Sequence, residues 1–320
     1  MRNLLLILLL LLTGEISAQQ TATIVVKTTP DNKIAYWPTG KDHLFFITLG
    51  TKAQADPQGQ FVHEFSVSRP TTIHVWAKGN NSFTLYLTPG SKDTIAVAKD
   101  TINFSGTNRV YNRCLKAVDD YQQYSDNLIY MQPHELEGVT SLEQYHQLAD
   151  ARMKQALDSV NASGLDKEFL AEQRAHIDYT HRSIFLHVAM YLVKNENFTE
   201  NWRKELAEII NQPVDSDYLR SYRGIGLFIN DLIGAQFIKL ENGKPEEIKD
   251  YCAFRFDRYR KFFKGDNLQY AQALLIYEDE FQTRNTPSIP QLYERYKAEF
   301  PNSPFLSALE PGVNKNLRFP

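Results

Sequence analysis

Along the first third of the chain, apolar side chains recur in short runs with a period of two. Phe83, Leu85 and Leu87 alternate with Thr84 and Tyr86, as a half-buried strand requires. Thr23–Lys27, Leu44–Leu49, Phe61–Val67, Thr72–Trp76 and Thr94–Ala98 are equally short and rich in β-branched or aromatic residues. Turn formers separate them: Pro30-Asp31-Asn32, Pro38-Thr39-Gly40, Asp56-Pro57-Gln58-Gly59, Lys78-Gly79-Asn80-Asn81 and Thr88-Pro89-Gly90. Strands recurring about every 8–12 residues predict an antiparallel β-sandwich over residues 19–106.

After Gly106 the period lengthens to that of helices. Tyr111, Cys114, Val118, Tyr121 and Leu128 fall on one face, and Leu142, Tyr145, Ala149, Ala156 and Val160 form the next stripe behind a Thr140–Glu143 capping box. Further helices are expected over Phe169–Val193, Asn201–Ile210, Tyr218–Leu240, Pro245–Phe263, Leu268–Phe281 and Ile289–Phe300. Pro245 suits a first turn and Gly265 a C′ position. No fixed repeat relates these helices, so a regular solenoid is not expected. The fold class is α+β: a sandwich, then an all-α domain over 107–312 and a tail over 313–320.

The N-terminus adds a destination. Arg2, the apolar run Leu4–Leu12 and the small residues Ser17 and Ala18 have the form of a cleavable signal peptide over 1–18. The run falls well short of the roughly 20 residues that span a bilayer, and no cysteine lies near the cleavage point to accept a lipid. The expectation is a periplasmic or secreted protein with no membrane span. A net charge of −3 gives no field that favours nucleic acid. The two cysteines, Cys114 and Cys252, form no C-x-x-C pair and no zinc spacing. In an oxidising compartment they could pair as a disulfide; two buried free thiols are the alternative.

Leu85-Tyr86-Leu87-Thr88-Pro89-Gly90, Phe104-Ser105-Gly106, Asn112, Leu115 and the segment Tyr293–Pro304 together resemble the N-terminal part of the periplasmic thioredoxin-like thiol-disulfide oxidoreductases of Bacteroidota. The resemblance implies a DUF4369-type sandwich and a helical segment ahead of a thioredoxin domain bearing Trp-Cys-x-x-Cys. The sequence ends at Pro320, where that domain would begin, and neither Trp37, Trp76 nor Trp202 precedes a cysteine. A dithiol needs a nearby second thiolate to resolve a mixed disulfide, so none of the family's redox residues maps onto this sequence.

Other candidate chemistry is sparse. His176, His181 and His187 share a predicted helix, but His181 lies about 140° around from His176, and His187 is about 16 Å further along the axis. They read as packing or surface histidines. His134-Glu135 lacks the second histidine of a zinc-protease helix, Gly224-Ile225-Gly226 lacks the third glycine of a dinucleotide loop, and no G-x-S-x-G occurs. Glu278-Asp279-Glu280 reads as a solvated face. Arg255, Arg258 and Lys261 line one side of a helix whose other side is Cys252, Phe256, Tyr259 and Phe263. That pattern fits a core helix with snorkelling cations, or alternatively a docking face for an acidic partner or glycan. Trp76 and Tyr86 read as half-buried strand residues, with sugar stacking the alternative. Thr94, Thr101 and Ser159 lie in Asp-Ser/Thr-apolar tripeptides that resemble O-glycosylation acceptors of that bacterial group. No cofactor, metal or catalytic residue is expected. The leading expectation is a non-catalytic exported protein that binds a periplasmic protein or ligand. The rivals are the recognition half of a split thiol-disulfide oxidoreductase and a surface glycan-binding protein.

Overall fold

The computed structural model describes residues 20–39, 51–77, 81–98, 101–130, 142–281 and 286–310. The expected signal segment, the Leu44–Leu49 strand, the Lys78–Asn80 turn, His134-Glu135, the start of the capping box and the 313–320 tail lie outside these residues. The fold is α+β, with strands first and helices after. Contacts gather the described residues into two compact units, one of 20–37 with 51–113, the other of 38–39 with 114–310.

The first unit holds eight strands: β1 (Gln20–Lys27), β2 (Lys33–Thr39), β3 (Thr51–Gln54), β4 (Gln60–Val67), β5 (Thr71–Ala77), β6 (Asn81–Leu87), β7 (Lys92–Val97) and β8 (Ile102–Gly106). They form two four-stranded sheets, ordered β4-β1-β7-β8 and β3-β2-β5-β6. One pairing departs from the antiparallel expectation: β1 runs parallel to β7, with Thr23 opposite Lys92 and Lys27 opposite Ala96. A strand buried on alternate positions looks the same whichever way its neighbour runs, so the alternation that located both strands carried no direction. Ile24 and Val26 of β1, Ile73 and Val75 of β5, Phe83, Leu85 and Leu87 of β6, and Ile95 of β7 enter one apolar cluster fed by both sheets. Phe83 and Phe104 meet edge to face at 6.2 Å.

A polar clasp ends this unit. Asp93 is buried and accepts the Asn108 backbone N–H at 2.7 Å and its Nδ2 at 2.9 Å. Asn112 Oδ1 accepts the Tyr86 N–H at 2.7 Å, and Tyr86 stacks on Tyr111 at 4.4 Å. Residues that carried the family resemblance thus hold the first turn of α1 (Arg109–Tyr130) to the strands.

The second unit continues through α2 (Leu142–Asn161), α3 (Lys167–His187), α4 (Glu200–Asn211), α5 (Ile225–Ala235), α6 (Tyr251–Arg258), α7 (Gly265–Phe281), α8 (Ile289–Glu299) and α9 (Leu306–Leu309). Asp166, Thr199 and Asp250 cap α3, α4 and α6 by accepting backbone N–H groups. Three long helices expected from periodicity are interrupted, and of these Pro245–Phe263 splits into a 3-10 turn (Pro245–Glu247), α6 and a second 3-10 turn (Tyr259–Lys261). Tyr218–Leu240 breaks at Gly224, where a Cβ would sit 2.5 Å from the Tyr222 hydroxyl. α3 and α5 each run into a five-residue π-turn, Val188–Leu192 and Gln236–Leu240, and the two turns pack on each other. Among the described residues no helix is long and apolar enough to cross a membrane.

Candidate functional site

Arg255, Arg258 and Lys261, read as snorkelling cations of a core helix or alternatively as a docking face, differ in their surroundings. Arg255 turns inward, with Nη2 donating to Asn230 Oδ1 and lying 3.2 Å from the Tyr259 hydroxyl. Arg258 is sandwiched by Phe237 and Phe254, with its guanidinium 4.8 and 4.7 Å from the ring centroids, and pairs with Glu241. Lys261 is exposed and reaches the same Glu241 at 3.1 Å. Glu241 is held below the usual carboxylate range by the Arg258 hydrogen bond, with Lys261 adding to it. The helical spacing was right, but folding spent two of the three cations on internal partners.

Around Arg255 the packing of α3, α5, α6 and α7 collects polar groups that sequence reasoning passed over. Asp231, 2% exposed, accepts from or pairs with His187 Nδ1 at 3.0 Å, and burial pushes its carboxyl up against the opposing His187 contact. Asp279 is buried rather than solvated: it accepts the Thr286 N–H at 3.1 Å and hydroxyl at 2.5 Å. Cys252 Sγ lies 3.5 Å from the same carboxylate. Above this cluster stand Tyr191, 63% exposed with its ring tilted against His187 at 4.4 Å, and Tyr251, 51% exposed. A lone aspartate inside Ile225–Ala235, otherwise almost wholly apolar, was the available signal for Asp231.

Cys114 and Cys252 are both free and buried, so the disulfide that the compartment would permit is not formed. Cys252 is instead engaged with Asp279 and Thr286. Burial pushes the Cys114 thiol up to about 11, with Ser163 opposing, and raises Cys252 likewise. Both environments disfavour the thiolate, the opposite of what a reactive cysteine requires.

The histidines meet three separate sets of partners. His176 bonds Ser221 at 3.0 Å with Glu172 at 3.9 Å; His181 meets the Tyr121 hydroxyl at 2.8 Å and Asp150 at 3.3 Å; His187 holds Asp231. Burial lowers the His176 pKa below its ordinary 6.5, against the pull of Glu172. The unfolded chain therefore binds the extra proton first, and stability contributed at neutral pH is lost as pH falls below about 6.5. His63 in the first unit is lowered by burial in the same sense. Urea midpoints measured between pH 7.5 and 5.5 should fall in the wild type and fall less in His176→Gln; parallel slopes would remove His176 from the account.

Thr94 is half-buried in β7, between β1 and β8, whereas Thr101 and Ser159 are exposed. Trp76 is half-buried and Tyr86 lies under Tyr111. Among the described residues the large exposed apolar side chains are Val62, Val110, Leu148, Tyr191 and Tyr251, which puts no aromatic platform on the sheets.

A cleft of ≈ 340 Å³ opens where α4 meets the second π-turn, lined by Phe198, Arg203, Ile238, Lys239, Lys244 and neighbours. Its volume is at the lower end of the roughly 300–1,000 Å³ of small-molecule sites. Asn242 in the left-handed region (φ 55°) and the Gly243 N–H donating to Phe237 O at 2.8 Å close the helix end. Arg203 then reaches the Lys239 carbonyl at 2.6 Å and the Asn242 side chain at 3.3 Å. Lys239, 4% exposed, donates to Val193 O at 3.1 Å, and both cations lie over the Phe198 ring, at 5.5 and 5.1 Å.

Searches against protein-family models, curated proteins and solved structures found no match to this chain.

Proposed function

We propose that the chain is an exported, non-catalytic binding protein, a β-sandwich followed by a helical domain related to the accessory part of thioredoxin-like thiol-disulfide oxidoreductases. One observation carries the reading: both thiols are free, buried and disfavoured as thiolates, so the family-like body lacks a group able to attack a disulfide. The helical unit supplies surfaces for binding instead, in the cleft beside Phe198 and in the exposed Tyr191 and Tyr251, a residue type enriched at binding hot spots.

The purified protein should show no insulin reduction above the dithiothreitol background. Turnover that disappears in Cys114→Ser or Cys252→Ser would sink the reading. A tagged protein should retain a periplasmic partner that Tyr191→Ala/Tyr251→Ala releases. Should that partner carry Trp-Cys-x-x-Cys and gain disulfide-reductase activity in the complex, the split-enzyme reading replaces this one.

A further inference from the structure

The cleft between α4 and the second π-turn has a consistent chemistry. Its wall presents Arg203, Lys239 and Lys244 against a single lining carboxylate, Glu246, while Phe198, Ile238 and Pro245 supply the apolar surface. Lys239 is a buried cation of this lining, with the Val193 carbonyl and the Phe198 ring face among its contacts, and a cation withdrawn from water favours an anionic neighbour. The π-turn over Gln236–Leu240 widens the coil at the point where Lys239 is set, and such turns concentrate at functional sites. The packed π-turn Val188–Leu192 ends at the Val193 carbonyl that receives the Lys239 ammonium, so two irregular segments converge on one cation.

From this arrangement we infer that the cleft binds a small organic oxyanion, a carboxylate or phosphate ester, with its charged end toward Lys239, Arg203 and Lys244 and its apolar body on Phe198 and Ile238. Arg203 is pre-oriented for such a ligand: the Lys239 and Leu240 carbonyls and the Asn242 side chain hold its guanidinium plane, which leaves little side-chain entropy to be lost on binding. Lys244 lies at the rim, its side chain largely exposed and 3.5 Å from Glu247, able to swing toward a ligand. The same cations also satisfy carbonyls at two helix ends, which alone would explain Arg203 and Lys239 but not a third cation and an apolar floor around one cavity.

The inference rests on the binding reading above and is separable from it. Titration calorimetry and thermal melts of the intact protein with benzoate, phenyl phosphate and the neutral isostere benzamide are the test. Saturable binding of benzoate or phenyl phosphate is expected, with benzamide at least about tenfold weaker because only the anion forms charge-assisted hydrogen bonds; the stronger of the two anions identifies the ligand class. Lys239→Met should abolish binding. Because that change also frees a carbonyl, Lys244→Gln provides the independent check: it should melt as the wild type and bind about threefold more weakly, a rim charge being worth a fraction of a buried one. No binding of either anion, benzamide binding equally, or an unchanged affinity in Lys244→Gln and Lys239→Met would overturn the inference. Such failure leaves the binding reading intact, whereas cysteine-dependent insulin reduction would remove that reading whatever the cleft binds.

Discussion

Replacing Arg182 by alanine is expected to destabilise the helical unit by about 3–5 kcal/mol, the range seen when one partner of a buried charged network is removed. Arg182 is 3% exposed and lies on α3, yet it serves the far end of α4. Its Nη1 donates to Pro213 O at 3.1 Å, and its Nη2 to Ile209 O at 3.0 Å and Gln212 O at 3.1 Å. These carbonyls lie at and just beyond the last turn of α4, where no intrahelical donor remains and the helix dipole is negative. The guanidinium also lies 5.5 Å from the Phe228 ring centroid, and Asp178 sits 3.6 Å from Nη1. Alanine removes three charge-assisted bonds and leaves a cavity in which water replaces them poorly. Lysine should recover only part of the loss, because a single ammonium cannot fork across three acceptors. Denaturant midpoints followed by circular dichroism decide the matter; a loss below about 1 kcal/mol would mean that solvent reaches those carbonyls and the capping account is wrong.

Gly106→Ala is expected to destabilise the sheet unit by about 2–4 kcal/mol, combining left-handed strain with a backbone clash. Gly106 closes β8 at φ 108°, and a Cβ there would lie 2.2 Å from the Lys92 carbonyl oxygen and 2.8 Å from Asp93 Cα. Neither atom belongs to a flexible side chain, so β7 or β8 must move. Movement at Asp93 disturbs its bonds to Asn108 and with them the first turn of α1. Gly164 provides the control. It also has positive φ (68°), yet a Cβ there meets nothing within 4 Å. Gly164→Ala should therefore lose only the strain, on the order of 1 kcal/mol. Equal thermal shifts for the two variants would show that the clash at Gly106 relaxes freely.

Much of the element map follows from local pattern. Phe61–Val67, Phe83–Leu87 and Ile289–Glu299 appear where alternation or a helical stripe placed them, and the switch from strands to helices falls at Gly106. β2, β3 and β8 were missed. β2 has an apolar face, Ile34 and Tyr36, but Pro38 within it read as part of a turn; Thr51–Gln54 is short and mostly exposed, with no apolar face to announce it. Cys252, Phe256, Tyr259 and Phe263 form the buried side that periodicity assigned to the Arg255 helix, but the inward turn of Arg255 was not legible, since periodicity says which residues share a side and not what that side meets.

The polar cluster was the least accessible. Asp231, Asp279 and Lys239 are buried in segments whose local composition either hid them among apolar residues or made them look solvated. Each has a partner 27 to 46 positions away in the chain, Cys252 for Asp279, His187 for Asp231 and Val193 for Lys239, although Asp279 also takes nearby Thr286.

By itself the sequence determined the α+β class, most strand and helix faces and the absence of a C-x-x-C pair, because these depend on the order and period of neighbouring residues. The parallel β1–β7 pairing, the two π-turns, the inward Arg255 and the cationic cleft were decided only in three dimensions. Each depends on which distant segments desolvate one another, and desolvation is what turns an ordinary lysine or aspartate into a group that must be answered by a partner.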